Sequence, residues 1–76
     1  KTANRRSPST LERLIAKIDL EIEELTVERK SIQAEMNKEK NDFSQLEESA
    51  KKYADVDAAL RAKEEEWLRL SEELDS

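Results

Sequence analysis

The chain lacks several residue types on which common kinds of chemistry depend. Its 76 residues include no cysteine, no histidine and no glycine. Without cysteine or histidine there is no disulfide framework, no ordinary zinc site, and no thiol or imidazole catalysis. Without glycine there is no phosphate-cradling loop of the usual kind. We therefore expect a non-enzymatic chain with no catalytic, cofactor-binding or metal-binding residues of its own.

Long apolar runs are also missing. No stretch approaches the roughly 20 residues of a membrane-spanning helix or the apolar core of a signal peptide, so we expect a soluble protein without membrane contact. The absence of cysteine agrees with a cytoplasmic location. The chain starts at Lys1 rather than at methionine, and we expect it to be a piece of a larger protein.

Charge is abundant and unevenly distributed. Charged residues make up 43% of the chain, and the net charge is −5. The first ten residues carry Lys1, Arg5 and Arg6 and no acid, which leaves −8 for the remainder. An acidic body disfavours broad attachment to nucleic acid, because affinity there comes largely from neutralised phosphates. Any contact with nucleic acid is therefore expected to be local.

Apolar residues recur every seven positions in two separate runs. The first run consists of Leu11, Ile15, Ile18, Ile22, Leu25, Ile32 and Met36. The second run consists of Leu46, Tyr53, Val56, Leu60, Trp67, Leu70 and Leu74. Continuing the first frame into the second run would place Asp57 and Glu64 on the line of helix contact, which we call the seam. One helix would keep one frame, so the break predicts an all-α fold: a two-helix antiparallel coiled-coil hairpin.

Capping residues, the single proline and a polar segment predict where the linker, helices and turn begin and end. Residues 1–8 form a basic linker or arm, and residues 9–76 form the hairpin. Helix 1 spans about 9–37, the turn about 38–42, and helix 2 about 43–75. Helix 1 can begin at Ser7-Pro8 or, one turn later, at Ser9 with Glu12. Helix 2 can be capped by Asp42 or by Ser44.

The nearly equal lengths of the two helices predict an in-register hairpin. The expected layers are Leu11/Leu74, Ile15/Leu70, Ile18/Trp67, Leu25/Leu60 and Ile32/Tyr53. A slip of one heptad would set Trp67 against Leu11 and leave Leu74 unmatched, so the first register buries more apolar surface.

Two layers of the seam are mixed, because Ile22 meets Lys63 and Arg29 meets Val56. One interpretation is that the two long basic side chains lie along the seam with their charges in water. The other is that they specify the register at some cost in stability, as polar seam residues do in other coiled coils.

The most distinctive stretch is EEEWLRLSEEL, residues 64–74. Trp67 can be simply the largest seam residue near the open end of the hairpin. Together with Met36, the Asp42-Phe43 tip, Tyr53 and Leu60, however, this stretch resembles the C-terminal coiled-coil domain of ABC-F ATPases. The resemblance is to Uup-like and YfmR-like members and covers about residues 9–76.

The resemblance implies that the chain is the non-catalytic C-terminal arm of an ABC-F-like ATP-binding protein. The parent would hold ATP and Mg in ATPase domains upstream of the arm, and would act on ribosomes or nucleic acid. It implies weak contact, without sequence specificity, with DNA or with ribosomal or transfer RNA.

Six basic residues are the candidates for phosphate contact, which positions a protein on nucleic acid without reading bases. They are Arg5 and Arg6 in the arm, and Lys38, Lys40, Lys51 and Lys52 near the tip. Acidic residues are interleaved with these lysines, so an ordinary solvated face is the alternative. Phe43 can stack on a base or cover the end of the seam.

A rival interpretation comes from a different class of protein. The hairpin could be a protein–protein docking module, or a dimerising coiled coil, in an unrelated scaffold. If the chain is instead the C-terminal arm of an ABC-F-like protein, as the resemblance implies, we expect it to be a monomer.

Overall fold

The computed structural model describes residues 7–38 and 42–75 and contains two α-helices. Helix α1 spans Pro8–Met36 and helix α2 spans Phe43–Asp75. The helices pack side by side in a hairpin about 59 Å long, which confirms the expected all-α hairpin. Helix α1 begins and ends one residue earlier than expected. Residues 1–6 of the basic arm and residues 39–41 of the expected turn lie outside the described residues.

Helix α1 begins at the first of its two possible caps. The Ser7 hydroxyl accepts a hydrogen bond from the backbone N–H of Thr10 at 3.2 Å. Pro8 occupies the first turn, where its missing N–H costs nothing. The helix ends at Met36, and the N–H of Asn37 donates to carbonyls one turn earlier. The polar residues Ser7 and Asn37 therefore bound the helix that carries the first apolar run.

Helix α2 begins with a reciprocal cap made by Asp42 and Gln45. The Gln45 N–H donates to Asp42 Oδ1 at 2.8 Å, and the Asp42 N–H donates to Gln45 Oε1 at 3.4 Å. This arrangement satisfies two backbone N–H groups that have no partner within the helix. Asp42 is thus the cap, rather than Ser44.

The core lies along the seam, mainly in the middle and at the open end. The most buried side chains are Leu11, Ile18, Val56, Leu60 and Leu70. Trp67 and Leu74 pack against the cluster that Leu11, Ile18 and Leu70 form. Burial of each such apolar side chain contributes roughly 1.5–3 kcal/mol. These are the side chains that the in-register hairpin was expected to bring together.

Two ion pairs between the helices show which register the hairpin has. Lys63 Nζ lies 3.1 Å from Glu21 Oε1, and Arg29 is bonded to Asp57. Each pair lies within one residue of an expected layer. A slip of one heptad would instead set Glu21 against Asp57, two carboxylates. The hairpin therefore has the register that buries more apolar surface.

The two basic seam residues lie along the seam with their charges in solvent, as the first of the two interpretations expected. The side chains of Arg29 and Lys63 are 32% and 35% exposed, so their stems cover apolar surface while their heads reach solvent. Each head also bonds to an acid on the opposite helix. Whether these pairs specify the register stays a prediction.

The core thins toward the tip. Ile32, Met36 and Tyr53 are half-buried, whereas Phe43 is 77% exposed. The expectation that Phe43 covers the end of the seam is therefore wrong. In this register Met36, the last apolar residue of α1, lies level with Ser49, nearly two turns from Phe43. No apolar side chain in the described part of α1 reaches far enough to cover it.

Candidate functional site at the hairpin tip

A groove separates the two helices where the apolar core ends. The small, polar Ser49 stands opposite Met36, so the helices are not bridged by a large apolar pair at this level. The α1 wall consists of Ser31, Ile32, Glu35 and Lys38, and the α2 wall consists of Gln45, Glu48, Ser49 and Lys52. The groove is thus polar, with lysines and glutamates on both walls.

Lys38, two residues beyond the end of α1, and Lys52 on α2 line this one groove. Lys38 Nζ forms an ion pair with Glu35 Oε2 at 2.9 Å, and both side chains are more than half exposed. Exposed pairs of this kind contribute little stability, with a median of about 0–1 kcal/mol. Lys38 can therefore exchange its glutamate partner for an external anion at small cost.

Lys51 lies outside the groove, although it is adjacent to Lys52 in sequence. It lines a separate, shallow depression with Ser44, Glu47 and Glu48. Consecutive helical residues point about 100° apart, and Lys51 is directed onto this adjoining surface while Lys52 lines the groove. The tip therefore presents Lys38 and Lys52 together and Lys51 on the adjoining surface. Arg5, Arg6 and Lys40 lie outside the described residues.

The groove also contains residues that sequence reasoning did not select. Ser31, Gln45 and Ser49 add uncharged hydrogen-bonding groups to its walls. The sequence could have indicated them. The predicted Ile32/Tyr53 layer already implies that residues flanking Ile32 face residues flanking Tyr53 across the seam. Next to the groove, Phe43 and the 36% exposed Leu46 add apolar surface at the tip.

A second charged centre lies in the middle of the hairpin. Asp57 accepts a hydrogen bond from Arg61 Nε at 2.9 Å and another from Arg29 on the opposite helix. The hydrogen bond from Arg61, followed by that from Arg29, holds the pKa of the Asp57 carboxyl below its ordinary value. A carboxylate held ionised between two guanidinium groups is a poor proton acceptor. This centre is therefore structural.

Trp67 is half-buried at the open end and packs against the core. Its indole Nε1 is buried and has no hydrogen-bond partner among the described residues. Within the same ranges, no three acidic side chains are placed to hold a metal ion. Neither described helix is long and apolar enough to cross a bilayer.

The fold and the tip together define an antiparallel coiled-coil domain whose polar groove lies at the closed end. Residues 8–72 match the family described as the ABC transporter C-terminal domain, and the chain belongs to this family. No curated protein and no solved structure matches the chain significantly. The family match confirms the C-terminal domain of an ABC-type protein that the sequence resemblance implied. It also removes the alternative of an unrelated scaffold.

Proposed function

We propose that this domain is the non-catalytic C-terminal arm of an ABC-F-like ATP-binding protein of the Uup-like or YfmR-like kind. In the cytoplasm, the arm contacts DNA or ribosomal or transfer RNA weakly and without sequence specificity. ATP and Mg bind to ATPase domains that precede the arm, and the arm contributes contacts rather than chemistry.

The tip groove is the observation that carries this proposal. It places Lys38 and Lys52 on opposite walls, so a phosphodiester backbone lying in the groove meets a positive charge from each wall. A lysine ammonium is a compact point charge that attracts phosphate without reading sequence. The exposed ring of Phe43 is available to an unpaired base, and stacking of this kind is worth about 1–3 kcal/mol per base.

The acidic surroundings set the strength and the salt dependence of the contact. Glu35 and Glu48 share the groove with the two lysines, and the chain carries a net charge of −5. Binding is therefore weak and lost at moderate salt. If Lys38, Lys51 and Lys52 each neutralise one phosphate, log Kobs falls with log[salt] at a slope of roughly −2 to −3.

The test is a titration of the chain with a short single-stranded RNA and with a duplex, at several salt concentrations. The variant Lys38→Ala/Lys52→Ala should weaken binding about tenfold or more and flatten the salt slope by about 1–2. The matched control is Arg13→Ala/Lys17→Ala, which removes two exposed charges from α1 far from the tip. Equal effects of the two double variants, or no binding at low salt, would sink the proposal.

A further variant separates base stacking from phosphate contact. Phe43→Ala should weaken binding of single-stranded RNA more than binding of duplex, because only an unpaired base offers its face to the ring. An equal loss for both ligands would assign Phe43 to a shape contact instead.

A further inference from the structure

The outer face of α1 carries apolar side chains that the hairpin leaves uncovered. Leu20 and Val27 are 61% and 62% exposed, and Ala34 is exposed as well. The three residues are seven positions apart, so they return to the same face of the helix every two turns. They lie opposite the seam, and Ser31 of the tip groove flanks the stripe between Val27 and Ala34. We call Leu20, Val27 and Ala34 the outer stripe; it is about 21 Å long at 1.5 Å per residue.

We infer that the outer stripe pairs with the outer stripe of a second copy of this chain, with the two α1 helices antiparallel about Val27. An apolar repeat of seven residues is the pattern that another α-helix covers. In this arrangement Val27 packs against Val27 of the second copy, and Leu20 packs against Ala34 of the second copy. Two-fold symmetry makes the contact self-complementary.

The charges beside the outer stripe select this arrangement. Glu23 and Lys30 are exposed on the same side of the stripe. In an antiparallel pair, each side of one stripe faces the same side of the other, so pairing about Val27 sets Glu23 beside Lys30 of the second copy. Symmetry repeats this attraction once more, giving two pairs of opposite charge at a single interface.

The neighbouring arrangements are charge-opposed or place an apolar residue against a charge. Pairing about the midpoint of Leu20 and Val27 sets Glu23 against Glu23 and Glu24 against Glu24. Pairing about Leu20 sets Val27 against Arg13. Parallel pairing sets Glu23 of each copy against Glu24 of the other. Like charges placed opposite each other disfavour the competing registers, which is how coiled coils select partners.

The size of the outer stripe makes the association weak. Two large aliphatic side chains per copy bury much less than the roughly 1,200–2,000 Å² of a standard interface. A dissociation constant on the order of 0.1 mM is expected. The chain is then a monomer in dilute solution and pairs where it is concentrated. Because the helices are antiparallel, the two tips point in opposite directions and both tip grooves stay open.

Sedimentation equilibrium of the chain, from about 10 μM to 1 mM, tests the inference. Val27→Glu puts two like charges at the two-fold axis and should raise the dissociation constant more than tenfold. Leu68→Glu is the control, because Leu68 is a similarly exposed aliphatic residue on α2. It should leave the constant unchanged. Val27→Thr keeps the β-branched shape and replaces Val27→Glu if that variant loses helix content by circular dichroism.

Charge reversal gives the sharper arm of the test. Glu23→Lys and Lys30→Glu should each weaken self-association about tenfold, because each creates like-charge pairs across the interface. An equimolar mixture of the two variants should form a mixed dimer, and the double variant Glu23→Lys/Lys30→Glu should pair again. A chain that stays monomeric at 1 mM overturns the inference. So does equal weakening by Val27→Glu and Leu68→Glu, or association that ignores the charge reversals.

Discussion

At the scale of single residues, Trp67 combines a large apolar contact with a buried N–H that has no partner among the described residues. Its ring packs against the core cluster at the open end, so truncation removes much of that contact. We expect Trp67→Ala to lower the free energy of unfolding by about 2–4 kcal/mol. Trp67→Phe should change it by less than about 1 kcal/mol, because the smaller ring also removes the unsatisfied donor.

Urea unfolding followed by circular dichroism measures these changes. Leu68→Ala is the control, because the neighbouring Leu68 side chain is 55% exposed and loses little on truncation. A Trp67→Phe variant as unstable as Trp67→Ala would mean that the indole N–H has a partner in solution.

Asp57 gives the hairpin an acid-sensitive contact. Hydrogen bonds from Arg61 and Arg29 lower the pKa of its carboxyl relative to the unfolded chain. A depressed carboxyl pKa stabilises the folded state at pH values above about 4, the ordinary value. That stabilisation is lost as the pH falls through the lower, folded-state pKa. Asp57→Asn should therefore lower the melting temperature at pH 7 and reduce its drop on acidification.

The matched control for Asp57 is Asp55→Asn, an exposed aspartate two positions earlier. Thermal melts at pH 7 and pH 2.5 compare the two variants with the unsubstituted chain. The same pH dependence in Asp57→Asn and Asp55→Asn would contradict a special role for the Asp57 cluster.

At the scale of the elements, the seam between the two helices consists of apolar layers and two mixed ones. Arg29 and Lys63 sit on the seam and bond to Asp57 and Glu21 across it. If these pairs specify the register, Arg29→Leu/Lys63→Leu should raise the melting temperature while permitting slipped or oligomeric forms. The amide correlation spectrum should then show several sets of peaks. A single set of peaks with monomeric sedimentation would mean that the apolar layers specify the register alone.

Much of this fold could be predicted from the sequence, because its strongest signal is periodic. The break in the heptad predicted two antiparallel helices, and matching the frames predicted Ile18 near Trp67. Residue type and spacing gave Asp42 and Ser44 as the two possible caps of α2, and the structure has Asp42. The Arg29–Asp57 and Glu21–Lys63 pairs were missed, although each lies one residue from a layer that was predicted. A layer alignment names the residues on the seam but not the flanking groups that a long side chain reaches.

The tip was harder to predict than the seam. Phe43 was weighed as a cover for the end of the seam, but Met36 ends nearly two turns short of it. The grouping of Lys38 with Lys52, and apart from Lys51, depends on which way each side chain points after the turn. The charge pattern alone marked all of these lysines equally. The burial of a side chain at a hairpin tip, and the direction in which it points, depend on where the two helices stop facing each other. Composition does not specify that position.

At the scale of the whole molecule, the hairpin separates two surfaces of different character. The closed end presents a polar groove with lysines on both walls and an exposed aromatic ring. The outer face of α1 presents an apolar stripe with alternating charges beside it. An arm of an ABC-type protein built this way can carry a nucleic-acid contact at its tip and a protein contact along its side, because the two lysines of the groove lie outside the outer stripe.

Amide chemical-shift mapping during titration with a short single-stranded RNA is the sharpest test of the proposed nucleic-acid contact at the tip groove. Titration at low salt and at chain concentrations of about 10 μM or less keeps self-association small. We expect shifts confined to the tip, at residues 31–38 and 42–52, which line or adjoin the groove, with none along residues 20–28 that depends on RNA. Shifts centred on the open end around Trp67, or no shifts at saturating RNA, would contradict it.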